Sequence, residues 1–151
     1  MASAGRVDFF ISYANADRDP DWAQWIADTL ESASYTSRLQ AWDIGPSGNF
    51  VVDMHDFTLT SDRLIMVFSP DYLDPKREMV LAEWTAKFRD DPAGRKGLLL
   101  PVRVRACNPT GLLGPRVYID LVNLDKAAAK QVLLEGVDPN RRKPTTVPFP
   151  G

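Results

Sequence analysis

The sequence predicts an α/β domain of flavodoxin-like design: three layers, with a five-stranded, mostly parallel sheet and helices on both faces. Three observations predict it. Leu64-Ile65-Met66-Val67-Phe68 is a short unbroken apolar run, the pattern of a strand buried on both faces, and Ser69-Pro70 ends it abruptly. Strand-like and helix-like segments alternate along the chain with short connections, which calls for parallel strands joined by covering helices. The 151 residues suffice for one domain with a real core and little more.

Taken in order, Val7 to Ser12 reads as a first strand, buried on both faces, followed by a polar loop from Ser12 to Asp19. Asp19 is placed to cap a helix beginning at Pro20, where proline is well tolerated. Trp22, Trp25, Ile26 and Leu30 then follow amphipathic helical spacing. Arg38 to Trp42 reads as a second, weaker strand with Trp42 in the core. Asp43-Ile44-Gly45-Pro46-Ser47-Gly48-Asn49 is a loop by its turn chemistry, and Asn49 caps a helix that buries Phe50, Met54 and Phe57. The central strand follows, then a helix on which Val80, Leu81, Trp84 and Phe88 share an apolar face with Glu83 on its flank. Leu98 to Arg105 is a fourth strand. Its Val/Arg alternation and Pro101 suggest a place near the sheet edge. Val117 to Leu121 is a short fifth strand. Asp125 caps a last helix running to about Leu134, with Gly136 as its stop. From Pro139 onward the chain is proline-rich, basic and without periodicity. This divides the sequence into a domain at 1–137 and a linker or tail at 138–151 leading toward a further domain.

Composition excludes several function classes. Formal net charge is −2 and no basic stripe appears, which argues against nucleic acid or an anionic membrane as the partner. No apolar run approaches the ~20 residues of a membrane helix, and the N-terminus lacks a signal-peptide core. One cysteine and one histidine leave little for a disulfide or a zinc site, so no metal is expected and a cytoplasmic location is. Cys107 has no neighbouring base in sequence that would make it a nucleophile, and His55 reads as solvent-facing. An open sheet of this order gathers the ends of strands one, two and three, where such folds bind ligands.

Those strand ends carry a family resemblance. FFISYANAD, residues 9–17, resembles box 1 of Toll/interleukin-1 receptor (TIR) domains. AWDIGPSGNF, residues 41–50, resembles their BB loop and the start of the next helix. VFSPDYL, residues 67–73, and AEW, residues 82–84, resemble the third strand and the αC helix with its glutamate. The likeness spans roughly Val7 to Val137 and is greatest to bacterial TIR domains at the ends of multidomain proteins. It implies one of two activities: cleavage of the nicotinamide–ribose bond of NAD, or self-association as a signalling scaffold. For the first, the resemblance implies that Glu83 is the essential carboxylate and that NAD is substrate rather than cofactor. Ser12 and Tyr13 would form the pocket floor, and Asp43, Ile44, Gly45, Gly48 and Phe50 would line or gate it. Ser69, Tyr72 and Trp84 would complete the substrate-binding set. The partners implied are other TIR domains, met through the BB loop and αC region. The chain departs from the family by carrying Met79 where NAD-cleaving members often place an aromatic residue, and by Ser47-Gly48 in the BB loop.

The residue types fit either activity. Nicotinamide bonded to ribose is a cationic leaving group, so one carboxylate that steadies the oxocarbenium-like sugar is enough in principle. Against this, Glu83 and Lys87 stand at i, i+4, an ordinary surface pair of about 0.3–0.5 kcal/mol. Likewise the glycine-rich loop is an ordinary connection or a gate over a ligand at a helix N-terminus. The hydroxyls of Tyr13, Ser69 and Tyr72 are ribose partners or plain loop polar groups. A phosphoacceptor receiver domain shares the sheet order. It would need an acidic cluster after strand one and an aspartate after strand three, where this chain has Ser12-Tyr13 and Ser69-Pro70.

Overall fold

The computed structural model describes residues 6–43, 56–57, 59–74, 98–108, 117–138 and 146–151. Five parallel strands form one sheet in the order β2-β1-β3-β4-β5: β1 Val7–Ser12, β2 Ser37–Arg38, β3 Ser61–Phe68, β4 Leu99–Arg103 and β5 Ile119–Asp120. This is the flavodoxin-like α/β architecture. The helices among the described residues are α1 Asp19–Ser32, α2 Gln40–Asp43 and α3 Lys126–Val137.

Alternation along the strands builds two apolar layers, one on each face. Phe9, Ile11, Ile65, Val67 and Val102 join Ala23, Ile26, Ala27 and Leu30 of α1 and Ala129, Leu133 and Val137 of α3. On the other face Phe10, Leu64, Met66 and Phe68 pack with Phe57, Tyr72 and Leu99. The register Phe10 against Leu64 and Ile11 against Ile65 keeps the two layers separate across the β1–β3 seam. A one-residue slip would exchange every side chain between them.

Four expectations are corrected. First, helix α1 starts one residue early. Asp19 is its first residue rather than its cap, and the cap residue Arg18 makes no side-chain capping bond. Second, the strand expected at Arg38–Trp42 stops at Arg38, and one helical turn follows. The Leu39 amide donates to the Asp43 carboxylate at 2.9 Å and the Ala41 amide to the Tyr13 hydroxyl at 3.1 Å. These side chains take the donors a ladder would have used. Trp42 is then 47% exposed rather than in the core, and its indole N–H donates to Gln24 at 3.0 Å.

Third, β4 is not at an edge; it lies between β3 and β5. Pro101 is tolerated for a geometric reason. The Val104 amide donates to Phe68 of β3, so amides at even positions of β4 face β3 and those at odd positions face β5. Pairing with β5 begins only at Val102, so the N–H that Pro101 lacks falls where the β5 ladder has not started.

Fourth, Gly136 does not stop α3, which runs to Val137; the Val137 carbonyl accepts from Arg63 at 2.7 Å. A Cβ on Gly136 would lie 2.4 Å from Cδ1 and 2.6 Å from Cγ1 of Ile119, so the glycine lets the helix close onto β5. Gly136→Ala is therefore expected to destabilise the domain by about 1–2 kcal/mol, because the overlap outweighs the ~1 kcal/mol gain in helix propensity. Thermal melts check it, and adding Ile119→Val should recover part of the loss. The Asp125 cap is as expected, its carboxylate accepting from the Ala128 amide at 2.8 Å.

Candidate functional site

The parallel strands end together, and their ends are tied by one polar network. Ser12, the last residue of β1, is fully buried and accepts the Tyr72 hydroxyl at 3.0 Å. The Tyr72 amide donates to Ser69 Oγ at 3.1 Å, and Ser69 Oγ donates to the buried Asp19 carboxylate. The other Asp19 oxygen accepts from Nε of Arg105 at 3.1 Å. Arg105 also donates through Nη1 to Asp17 at 2.8 Å and through Nη2 to Asp71 at 2.6 Å. The chain thus links the ends of β1, β3 and β4 with the first residue of α1.

Arg105 is the hub because a guanidinium presents its donors in a fixed planar fork, which a lysine cannot copy. Its hydrogen bond to Asp19 is the largest cause holding its pKa above the usual arginine value; burial opposes this and Asp71 adds to it. Asp19 has 0% of its side chain exposed, so this carboxylate depends on Arg105 and Ser69 instead of water. Sequence reasoning missed this cluster. Arg105 read as the polar half of a strand alternation and Asp19 as a cap. The signal available was three aspartates, Asp17, Asp19 and Asp71, in the two loops that the strand order makes neighbours.

The residues expected at a site fall into three groups. Ser12, Ser69 and Tyr72 come together, but all are buried at 0–1% exposure with their hydroxyls engaged inside the protein. Tyr13 and Asp43 are both joined to the turn after β2, Tyr13 through Ala41 and the exposed Asp43 through Leu39. Ile44, Gly45, Gly48, Phe50, Glu83 and Trp84 lie outside the described residues. Cys107 is half-buried, and burial pushes its thiol up while Arg103 and Arg105 pull it down. That is the state of an unreactive thiol. Among the described residues no group of metal-ligating side chains could hold an ion, and no helix is long and apolar enough to cross a membrane.

Burial pushes the Tyr13 phenol above its ordinary value of 10.0, partly offset by the Ala41 amide. A folded value above the unfolded one means that this contribution to stability is full below pH 10.0 and is lost as pH rises through the folded value. Tyr13→Phe should flatten the alkaline fall in stability and cost about 1 kcal/mol at neutral pH through the lost acceptor. Urea denaturation in a pH series across the phenol range measures both.

The family model described as TIR domain matches residues 9–134, most of the chain. The chain belongs to the TIR domain family. This TIR domain is similar in fold to that of the Toll-related receptor TRR-2 from Hydra magnipapillata, with TM-score 0.62 and 24% identity over 76% of this chain and 84% of that one. Two structures of a metazoan TIR-STING receptor from C. gigas also match. The one in complex with 2',3'-cGAMP gives TM-score 0.66 and 24% identity over 84% of this chain; the other gives 0.63 and 21% over 89%. The TIR domain spans 39% and 41% of the length of those receptor chains. No curated protein matches the chain in sequence.

Proposed function

We propose that this TIR domain is an NAD+ hydrolase that cleaves the nicotinamide–ribose bond, releasing nicotinamide and ADP-ribose or a cyclic variant of it. It acts in the cytoplasm, in signalling or bacterial immune defence, and self-association with other TIR domains through the BB loop and αC region activates it. The observation that carries this reading is the strand order β2-β1-β3. It sets side by side the ends of the strands whose continuations resemble box 1, the BB loop and the glutamate-bearing αC helix. The Ser12–Tyr72–Ser69–Asp19 network supports it as a rigid floor beneath that edge.

In this mechanism Glu83 lies against the nicotinamide-bearing ribose. The C1′–N bond breaks, and its electron pair leaves with nicotinamide, which departs neutral. The positive charge that develops on the anomeric carbon is stabilised by the Glu83 carboxylate. Water then attacks that carbon and gives up a proton to solvent; an adenine nitrogen attacking instead closes the cyclic product. The remaining residues hold the dinucleotide: Phe50 and Trp84 at the nicotinamide, and the loop Asp43 to Gly48 at its entrance.

One observation favours a second reading, a non-catalytic scaffold. The hydroxyls of Ser12, Ser69 and Tyr72 are bonded inside the protein instead of being offered to a ligand. Nicotinamide release by concentrated protein, compared with Glu83→Ala, separates the two.

A further inference from the structure

Arg105 does more than satisfy the buried Asp19. Its two outer nitrogens reach the loop after β1 and the turn after β3: Nη1 donates to Asp17 at 2.8 Å and Nη2 to Asp71 at 2.6 Å. Both carboxylates are about half in solvent, so these two pairs add little to stability. What they restrict is geometry. One planar fork that engages three carboxylates at once leaves each of them few positions. The place matters as well. After β1 the chain turns onto the face that α1 covers, and after β3 Tyr72 and Leu73 pack on the opposite face. The crevice between strands that diverge in this way is where open α/β sheets bind ligands, and Arg105 ties its two walls together.

Each tie falls where the backbone has to be held. Asp17 has a φ of 53°, in the left-handed region that a non-glycine residue occupies at a cost. The Asp19 amide donates to the Ala16 carbonyl at 3.2 Å across it, and Arg105 holds the same residue from outside the loop. Such conformations persist where the surroundings over-determine them, and they gather at functional sites. Asp71 belongs to a turn in which the Leu73 amide donates to the Ser69 carbonyl at 3.1 Å and the Asp74 amide to the Asp71 carbonyl at 3.3 Å. Its carboxylate therefore fixes the turn from which the chain leaves β3 toward Glu83, nine residues past Asp74 in sequence.

We propose that Asp71 and Asp17, acting through Arg105, are positioning residues for nicotinamide cleavage: they hold the two walls of the crevice at one separation and so set how the ribose meets Glu83. The role rests on the NAD-cleaving reading above. The two aspartates act through the loops they fix and not by touching the substrate.

The test follows nicotinamide release from NAD by the full chain, unaltered and with Asp71→Asn, Asp71→Glu or Asp17→Asn. Asp71→Asn keeps the size of the side chain and discards the charge that Arg105 holds. Its kcat is expected to fall about tenfold, with KM changed less than about twofold and the melting temperature nearly unmoved. Asp17→Asn should lower kcat in the same way. Asp71→Glu still reaches the guanidinium and is expected to recover most of the rate. Hydrogen exchange read by mass spectrometry should be faster across residues 69–74 in Asp71→Asn than in the unaltered chain. Full turnover in both asparagine variants overturns the positioning role and leaves the NAD reading standing. A rate lost with exchange unchanged overturns it too, because Asp71 would then act by some route other than holding the turn. A rate that falls only in step with the melting temperature makes the pairs purely structural. An unaltered chain that releases no nicotinamide, even when domains are forced together, overturns the NAD reading and this role with it.

Discussion

Arg105→Ala is expected to lower the stability of the domain by about 3 kcal/mol, which for a chain of this size moves the melting temperature down by roughly 6–12 °C. The reasoning starts from exposure. Asp17 and Asp71 keep 56% and 43% of their side chains in solvent, so their pairs with Arg105 are worth little. Asp19 is at 0% and loses its cation outright. A buried carboxylate left with one hydroxyl donor, Ser69, dominates the cost. The figure sits at the low end for a broken buried pair because Arg105 itself is 26% exposed and water can enter where it stood.

Two companion variants separate this from lost packing. Asp19→Asn keeps an acceptor for Ser69 and removes the stranded charge, so Arg105→Ala with Asp19→Asn should lose less than the two single changes added together. Arg105→Lys keeps the charge but not the fork that reaches Asp17, Asp19 and Asp71 at once, and about 1–2 kcal/mol should go. Chemical denaturation of the four proteins gives the cycle. Strictly additive losses would mean that Asp19 and Arg105 do not depend on each other.

The contrast between the central strand and this cluster shows what sequence pattern can and cannot reveal. Leu64 to Phe68 is legible because a strand buried on both faces leaves its mark in consecutive residues, and short β-to-α connections call for the parallel pairing that the flavodoxin-like sheet shows. Arg105 is illegible by the same means, since its partners stand 34, 86 and 88 residues away. The same cause undid the second strand. Arg38 to Trp42 has the local look of a strand, but the Tyr13 hydroxyl comes from 28 residues upstream to hold the Ala41 amide in a turn. Gly136 looked like a helix stop because glycine usually is one; only the approach of Ile119 shows that it serves close packing. At the candidate site, the meeting of Ser12 with Ser69 and Tyr72 was legible from the strand order. That their hydroxyls bond inward was not, because the direction depends on Asp19, which the local pattern assigned to capping.

Glu83→Ala is expected to abolish nicotinamide release, a loss of at least about 10²–10³ in kcat, while leaving the fold standing. The magnitude follows from where the charge goes. Nicotinamide departs as a neutral molecule, so no acid is needed and little remains to catalyse except the cation on the sugar. In the proposed mechanism Glu83 is the group that stabilises that cation, so removing it should remove most of what the protein can do for the reaction. A carboxylate acting only as a surface partner of Lys87 would behave oppositely, costing about 0.3–0.5 kcal/mol of stability and no chemistry. Glu83→Gln sharpens the comparison: it keeps size and hydrogen bonding and discards the charge, so it should retain NAD binding and lose turnover, a fall in kcat with KM nearly unchanged. Parallel losses in kcat and association would instead make Glu83 a contact between domains. Turnover unaffected by either substitution, or absent from the unaltered protein even when domains are forced together, would leave the scaffold reading. The inward-facing hydroxyls of Ser12, Ser69 and Tyr72 would then be structural and nothing more.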